Sequence, residues 1–288
     1  MGLKVVALVT GENVHLKSGT AIHRTPEHYG GAGGELLVLA MIISWILTFI
    51  FDPETVKKNP LKDRVGYNNL CVGWDEPPAR YVAAPIFALV VYFNVRFMYL
   101  DLARAQLSNT SYPEASEHHR TKQHINYVWA SNFLNCASFC LCSLIFVIRP
   151  KHIHDDPKFD YPLWHTVAFI QLVVCQYIAY AVNLWNTPNS THIDGCWIFL
   201  AIFGIICAGF ATCGLTQMIT YDHETKTPGP VPWWLTACFD YGWFAGMALQ
   251  GHFRPRAPSI AVSMVLCSDD DFKMPDNTAS YTTIGSSS

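Results

Sequence analysis

The sequence contains few charged residues. Only 14% of its 288 residues are Asp, Glu, Lys or Arg, whereas an average soluble domain carries about 25%. Hydrophobic residues make up 51% of the chain, and this balance argues against a purely soluble protein. The formal net charge is −3 and no dense Lys/Arg block is present, so nothing indicates a nucleic-acid partner.

Short catalytic and cofactor motifs are also missing. The sequence contains no P-loop, no HExxH helix and no GxSxG elbow. No apolar run contains a Lys that could hold retinal, and only His165 lies within one, which is too few for axial haem ligation. Cys136 and Cys140 have helical spacing but are expected to be buried free thiols. We therefore expect no cofactor and no metal ion.

The chain also lacks a recognisable signal peptide and a disulfide pattern. The apolar run near the N-terminus is short, so the first membrane span is expected to act as an uncleaved targeting signal. The ten cysteines are dispersed and fall mostly within apolar runs. Cys71, in the first connection, has no loop partner on its own side of the membrane, so we expect no disulfide framework.

Long apolar runs are the dominant feature of the sequence. A helix needs roughly 20 mainly apolar residues to cross the bilayer core. Aromatic residues typical of membrane interfaces lie near the ends of these runs. The pattern predicts an all-α polytopic transmembrane bundle with six spans: 35–51, 81–100, 127–148, 163–185, 196–219 and 231–250.

The remaining segments are polar. Residues 1–34 are predicted to form a polar N-terminal tail whose "YGGAGG" is a flexible lead into the first span. The first connection contains prolines and glycines and is predicted to be a loop. Residues 251–288 are predicted to be a disordered C-terminal tail. We find no internal repeat and no soluble domain.

Six spans place both tails on one side of the membrane. Cytoplasmic loops of membrane proteins usually carry an excess of Lys and Arg. Here these residues divide evenly between the two sides. Arg96, near the tail end of the second span, should extend its side chain towards the tails, which slightly favours cytosolic tails. Two glycosylation sequons, at Asn109 and Asn189, lie on the tail side and would favour luminal tails if used. Asn189 is too close to two spans, which leaves Asn109 as the candidate. We expect cytosolic tails.

Three ionisable residues lie inside or at the edge of spans: Asp240, His165 and Arg96. A charged group at the bilayer centre costs about 2.5–3.5 kcal/mol on insertion scales, so such residues usually face the bundle interior. Asp240 lies about 10 Å beyond Trp233. Arg96 is near the opposite end of its span, so a direct Asp240–Arg96 pair is not expected, and His165 is closer in depth. Asp240 is either a structural hydrogen-bond partner or a functional acid.

Small and polar residues predict how the spans pack. Gly242 and Gly246 form a GxxxG pair, and the fifth span has a small stripe that includes Gly204 and Ala208. We expect the fifth and sixth spans to pack along these stripes, with homodimerisation as the alternative use. The third span is the most polar and contributes Asn132 and Asn135, which either bond between helices or line a hydrated cavity.

The layout resembles the damage-regulated autophagy modulator (DRAM)-like family of six-span membrane proteins. The resemblance rests on "FNVRFMYLD" in the second span, "LWHTVAFIQ" in the fourth and "FDYGWFAGMALQGHFRPR" in the last. The short signature expected in that family's first loop is not visible here. The resemblance implies a non-enzymatic role in endomembrane lipid or vesicle traffic, with Asp240 and His165 as matched positions.

Three functions remain open from the sequence. The first is a non-enzymatic endomembrane modulator or scaffold, with the lipid bilayer and either a membrane-protein partner or a second copy as its partners. The second is a proton- or cation-coupled transporter or channel that uses Asp240, although the repeats typical of transporters are missing. The third is an intramembrane lipid-modifying enzyme with Asp240 and His165 as acid and base.

Overall fold

The computed structural model describes residues 21–111, 122–143, 161–187, 193–222, 224–225, 227–254 and 260–263. Two strands, β1 (Ala21–Arg24) and β2 (Ile260–Ser263), pair antiparallel. The helices of the described residues are α1 (Pro26–Phe51), α2 (Pro53–Lys57), α3 (Pro60–Val65), a 3₁₀ helix (Leu70–Trp74), α4 (Ala79–Ser111), α5 (Lys122–Cys142), α6 (Tyr161–Asn186), α7 (Ile193–Ile219) and α8 (Trp233–Leu249).

The six long helices form a closed ring. In order around the ring, α1 packs against α4, α4 against α5, α5 against α6, α6 against α7, α7 against α8, and α8 returns to α1. Each long helix coincides with one predicted span. We call the end of the bundle where α1 begins the tail side and the end where α1 finishes the cap side.

The helical membrane class predicted from the sequence is confirmed, but six spans are not. Four helices of the described residues are long and apolar enough to cross a membrane: Pro26–Phe51, Ala79–Gln106, Pro162–Asn186 and Asp194–Ile219. They indicate an integral membrane protein. Helix α5 is more polar, and α8 has 17 residues, which span about 26 Å.

The first helix begins earlier than predicted. Pro26 stands at its first position and Glu27 in its first turn, both favourable at a helix N-terminus. "YGGAGG" is therefore buried helix and not a flexible lead, so residues 26–34 do not belong to the tail. The glycines allow close contact: a Cβ on Gly31 would lie 3.2 Å from the Cα of Gly251.

The first connection is folded, not an open loop. Helices α2 and α3, the 3₁₀ helix and the cis Pro77–Pro78 peptide bond make up residues 53–78, which we call the cap. Gly66 ends α3 with a φ of +79°, a conformation that favours glycine. Trp74 is buried and packs edge-on against Phe87 of α4 and Phe169 of α6, so the cap closes the cap side of the bundle.

The C-terminal tail is not wholly irregular. Residues 260–263 form β2, which pairs with β1 in the register Ala21↔Ser263. The prediction of a disordered tail is therefore wrong for this segment. The prediction missed it because a four-residue strand leaves too short a pattern in the sequence.

The glycine pair of α8 packs against α7 as expected. A Cβ on Gly242 would lie 3.3 Å from Ile206, and one on Gly246 would collide with the ring of Phe203. The predicted stripe of α7 is wrong, however: Gly204 faces Tyr177 of α6, and Ala208 is exposed. The reason is steric, since a helix surface emptied by two glycines is filled by large side chains and not by a second small stripe.

Candidate functional site

Asp240 holds the cap against the bundle. Its side chain is fully buried in α8. Oδ2 accepts hydrogen bonds from the Tyr67 hydroxyl at 3.2 Å and from the Leu70 backbone N–H at 3.3 Å, both in the cap. Oδ1 has no partner within the described part of the chain. The carboxyl therefore contacts the cap and not Arg96.

His165 also contacts the cap. Its Nε2 lies 2.8 Å from Cys71 Sγ, and both side chains are buried. Two further hydrogen bonds reach the same segment from α1, because Trp45 donates Nε1–H to the Leu70 carbonyl (2.8 Å) and Thr48 donates its hydroxyl to the Gly73 carbonyl (2.6 Å). Helices α1, α6 and α8 thus hold residues 67–73 of the cap by specific polar contacts, while Arg80 of α4 donates to the Asp75 carbonyl and Gln217 of α7 to the Val65 carbonyl.

The ionisable groups of the cap are strongly perturbed. Burial, followed by the charge of Asp240, raises the pKa of Tyr67. Burial and the charges of Asp75 and Asp240 raise the pKa of Cys71 well above its ordinary value, so its thiol stays protonated near neutral pH. Burial, followed by the neighbouring Glu76, raises the pKa of Asp75 to about 8, against the opposing effect of Arg80.

A second polar cluster lies at the tail side. Arg104 of α4 forms ion pairs with Glu27 of α1 at 2.7 Å and with Asp101 of α4 at 2.8 Å. All three side chains are buried. Because desolvated charges are costly unless paired, this triad fixes the position of α4 against the start of α1.

Amides from two further helices complete this cluster. Asn132 of α5 donates to Asp101 Oδ2 at 2.9 Å. Asn183 of α6 donates to both Glu27 and Asp101 at 3.0 Å, and Asn186 donates to Asp101 at 3.0 Å. Side chains from four helices of the ring therefore take part in one hydrogen-bonded cluster around the carboxylates of Glu27 and Asp101.

Arg254, just beyond α8, adds a second buried cation. Its Nη2 donates to Gln250 at 3.1 Å, and its guanidinium lies 5.0 Å from the ring centres of Phe97 and Tyr180. Burial lowers the pKa of Arg254, while Tyr180, Glu27 and Asp101 act in the opposite direction. With Glu27, Asp101 and Arg104, it gives the cluster two charges of each sign.

An apolar layer separates the two clusters. Phe87 and Phe139 pack with ring centres 5.9 Å apart, and Phe169 and Trp243 with centres 5.0 Å apart. These residues are fully buried, as is Met41 of α1. On the tail side of this layer, Asn135 donates to Asn94 at 3.1 Å. The helices thus carry polar contacts at both ends and dense packing between them.

The predicted site residues do not form one site. Asp240 contacts Tyr67 and Leu70 of the cap, whereas His165 contacts Cys71. Asn132 and Asn135 lie on the tail side of the apolar layer. Arg96 is exposed on the outer face, and its Nε donates to Tyr92 one turn back along α4, so it does not extend towards the tails. The side chain of Asn109 lies outside the described residues, although its backbone belongs to α4.

Sequence reasoning missed the partners of these residues. Tyr67 and Asp75 fall within the predicted loop, Glu27 within the predicted polar tail, and Asp101 and Arg104 just beyond the predicted end of the second span. The i, i+3 spacing of Asp101 and Arg104 with opposite charges was an available signal that the helix continues. Nothing local marks Tyr67 as a partner of Asp240.

No group of three or more His, Cys, Asp or Glu residues that could hold a metal occurs among the described residues. Comparison of the chain with protein-family models, curated proteins and solved structures found no match.

Proposed function

We propose that this chain is a six-span, non-enzymatic membrane scaffold or modulator that acts in endomembrane lipid or vesicle processes. The observation that carries the proposal is the engagement of Asp240. The carboxyl that best fits a transport or catalytic role accepts two hydrogen bonds from the protein's own cap. The Asp240 carboxyl therefore holds the folded cap in place on the bundle.

The outer faces of α5 and α8 support six spans. Helix α5 exposes Phe133, Leu134 and Leu141, each about half exposed, while Asn132 and Asn135 are buried on its inner face. Helix α8 exposes Trp233 and Trp234 at its start and Leu249 at its end. A helix with an apolar outer face and a polar inner face fits a position between lipid and bundle. The short α8 fits as a span whose interfacial tryptophans mark one boundary.

The apolar layer makes transport a weaker proposal. Coupled transporters carry their sites near the bilayer midplane, commonly at broken helices. Here, Phe87, Phe139, Phe169 and Trp243 fill the middle of the ring, and the polar clusters lie towards its two ends. A conducting path would have to pass between these packed aromatic side chains.

The contact between Cys71 and His165 favours the enzyme as a second candidate. A thiol and an imidazole 2.8 Å apart have the arrangement of a nucleophile and its base. Both are buried, however, and the thiol is held protonated, which is the reverse of an activated nucleophile. The pair therefore fits a structural contact better than a lipid-modifying centre.

The proposal includes a location and partners. The resemblance to the DRAM-like family supports endomembranes, with cytosolic tails and the cap facing the lumen. The bilayer surrounds the bundle, and the exposed cap and tail surfaces would recruit a membrane protein or a second copy. Asn109 would then face the cytosol and carry no glycan.

Reconstitution into liposomes tests this function. The purified chain should be inserted into vesicles that contain a pH-sensitive dye and given an imposed pH gradient. We expect the gradient to decay as slowly as in protein-free vesicles, because the apolar layer blocks a path. Asp240→Asn should behave in the same way.

A faster decay that Asp240→Asn abolishes would replace the scaffold with a proton-coupled transporter. The same vesicles, analysed by mass spectrometry of their lipids, address the enzyme. Turnover of any lipid that His165→Gln removes would support the second candidate. The controls are vesicles with Arg96→Gln, which changes a charged residue on the outer face.

A further inference from the structure

We propose that Asp75 is a proton-binding site that locks the cap onto the bundle, so that the cap opens when the proton leaves. The cap is attached to α1, α6 and α8 through Leu70, Cys71, Gly73 and Tyr67. Asp75 directly follows the 3₁₀ helix that carries most of these contacts. This inference goes beyond the proposed function, because it concerns when the surface is closed.

The geometry around Asp75 favours the neutral acid. The residue is only 6% exposed, and its Oδ1 has no hydrogen-bond partner in the described part of the chain. Arg80 of α4 donates Nη1 to the main-chain oxygen of Asp75 at 3.1 Å. An ionised carboxylate buried in this way costs several kcal/mol unless it is fully paired, and protonation removes that cost.

The neighbouring groups from each packed element add to this bias. Glu76 lies beside Asp75 in the chain and is also buried, and Arg80 is the facing cation from α4. Cys71 of the 3₁₀ helix faces Asp75. Asp240 of α8, Cys142 of α5 and His165 of α6 also lie near Cys71. A proton on Asp75 removes its repulsion with Glu76.

The direction of the pH effect follows from burial. Burial raises the pKa of Asp75 from 3.8 to about 8, so the closed cap holds a proton that an open, solvated segment would release. The contribution to the closed state is fully present below about pH 4 and is lost as the pH rises through about 8. A cap that faces an acidic compartment stays shut, and alkaline conditions open it.

Hydrogen exchange of the full chain in lipid nanodiscs tests this site. Exchange of peptides covering residues 66–78 should be followed from pH 5.5 to about 9.5, with rates corrected by an unstructured peptide. We expect at least tenfold loss of protection in these peptides as the pH rises from 5.5 to about 8 and a constant level above it, while peptides from α7 keep their protection. Asp75→Asn should keep the cap protected at high pH.

The matched control is Asp63→Asn, which changes an exposed aspartate in the same cap and should leave the wild-type pH profile intact. Protection that stays constant with pH in the wild-type chain would overturn the proposal. So would a transition that Asp75→Asn leaves unchanged. If Asp75→Asn fails to fold, infrared titration of the Asp240→Asn chain, which lacks the other fully buried carboxyl near the cap, still decides: a protonated carboxyl band must disappear as the pH rises to about 8.

Discussion

The Tyr67 hydroxyl lies 3.2 Å from the Asp240 carboxyl, and the two residues are 173 positions apart in the chain. This hydrogen bond joins the cap to the last long helix. Because the Leu70 N–H bonds the same oxygen, Asp240 organises both the side chain and the backbone of the cap. The only carboxyl of the last predicted span is therefore part of a tertiary contact.

Removing the Tyr67 hydroxyl should loosen the cap. A buried hydrogen bond contributes about 1–3 kcal/mol when its loss leaves a polar group unpaired. We therefore expect Tyr67→Phe to speed maleimide alkylation of Cys71 by about 5- to 150-fold, measured by mass spectrometry of the Cys71 peptide. Tyr99→Phe, which removes an exposed hydroxyl on α4, should leave that rate unchanged. Equal rates in both variants would show that the bond does not hold the cap.

Breaking the tail-side ion pairs should destabilise the whole bundle. Arg104→Gln removes the cation that forms ion pairs with both Glu27 and Asp101, and breaking buried pairs in this way costs about 3–5 kcal/mol. The expected result is a large drop in thermal unfolding temperature in detergent. Arg96→Gln, on the outer face of the same helix, is the matched control and should unfold at the wild-type temperature. A similar small shift in both variants would contradict a structural role for the cluster.

Filling the glycine contact between α7 and α8 should also reduce stability. A Cβ on Gly246 collides with the ring of Phe203, so Gly246→Ala should cost about 1–3 kcal/mol. Nothing lies within 4 Å of the corresponding position on Gly195 of α7. Gly195→Ala should therefore unfold at the same temperature or slightly higher. The interpretation fails if both substitutions are tolerated equally.

The glycosylation state of the chain reports its orientation. With cytosolic tails, Asn109 is never exposed to the glycosylation machinery, so Asn109→Gln should migrate with the same mass as the wild-type protein from mammalian cells. Treatment of the wild-type protein with a deglycosylating enzyme provides the control. A mass decrease in both experiments would place the tails in the lumen.

The sequence was sufficient to place the long helices but not their ends. Apolar runs located all six, because burial in lipid leaves a strong compositional signal. The runs stop at charged residues, however, and Glu27, Asp101 and Arg104 continue their helices with charges that point inward. A hydropathy pattern cannot distinguish a helix that ends from one whose next turn is paired with its neighbours.

The candidate site was predicted only in part. Asp240 and His165 stood out because ionisable groups are rare in apolar runs, and depth along the helices correctly separated Asp240 from Arg96. Their partners in the cap could not be found, since Tyr67 and Cys71 lie in a segment whose prolines and glycines are typical of loops. The contacts that hold this segment against α6 and α8 come from residues 94 and 173 positions away in the chain, which no local pattern reveals.

Hydrogen exchange of residues 66–74 in two Asp240 variants tests the central claim most directly. If Asp240 anchors the cap, Asp240→Asn should retain most of the protection, because its amide oxygen still accepts the bonds from Tyr67 and Leu70. Asp240→Leu, of similar size but without an acceptor, should lose protection by at least tenfold in this segment. If the cap stays equally protected in Asp240→Leu, Asp240 does not hold it, and its burial must serve another role.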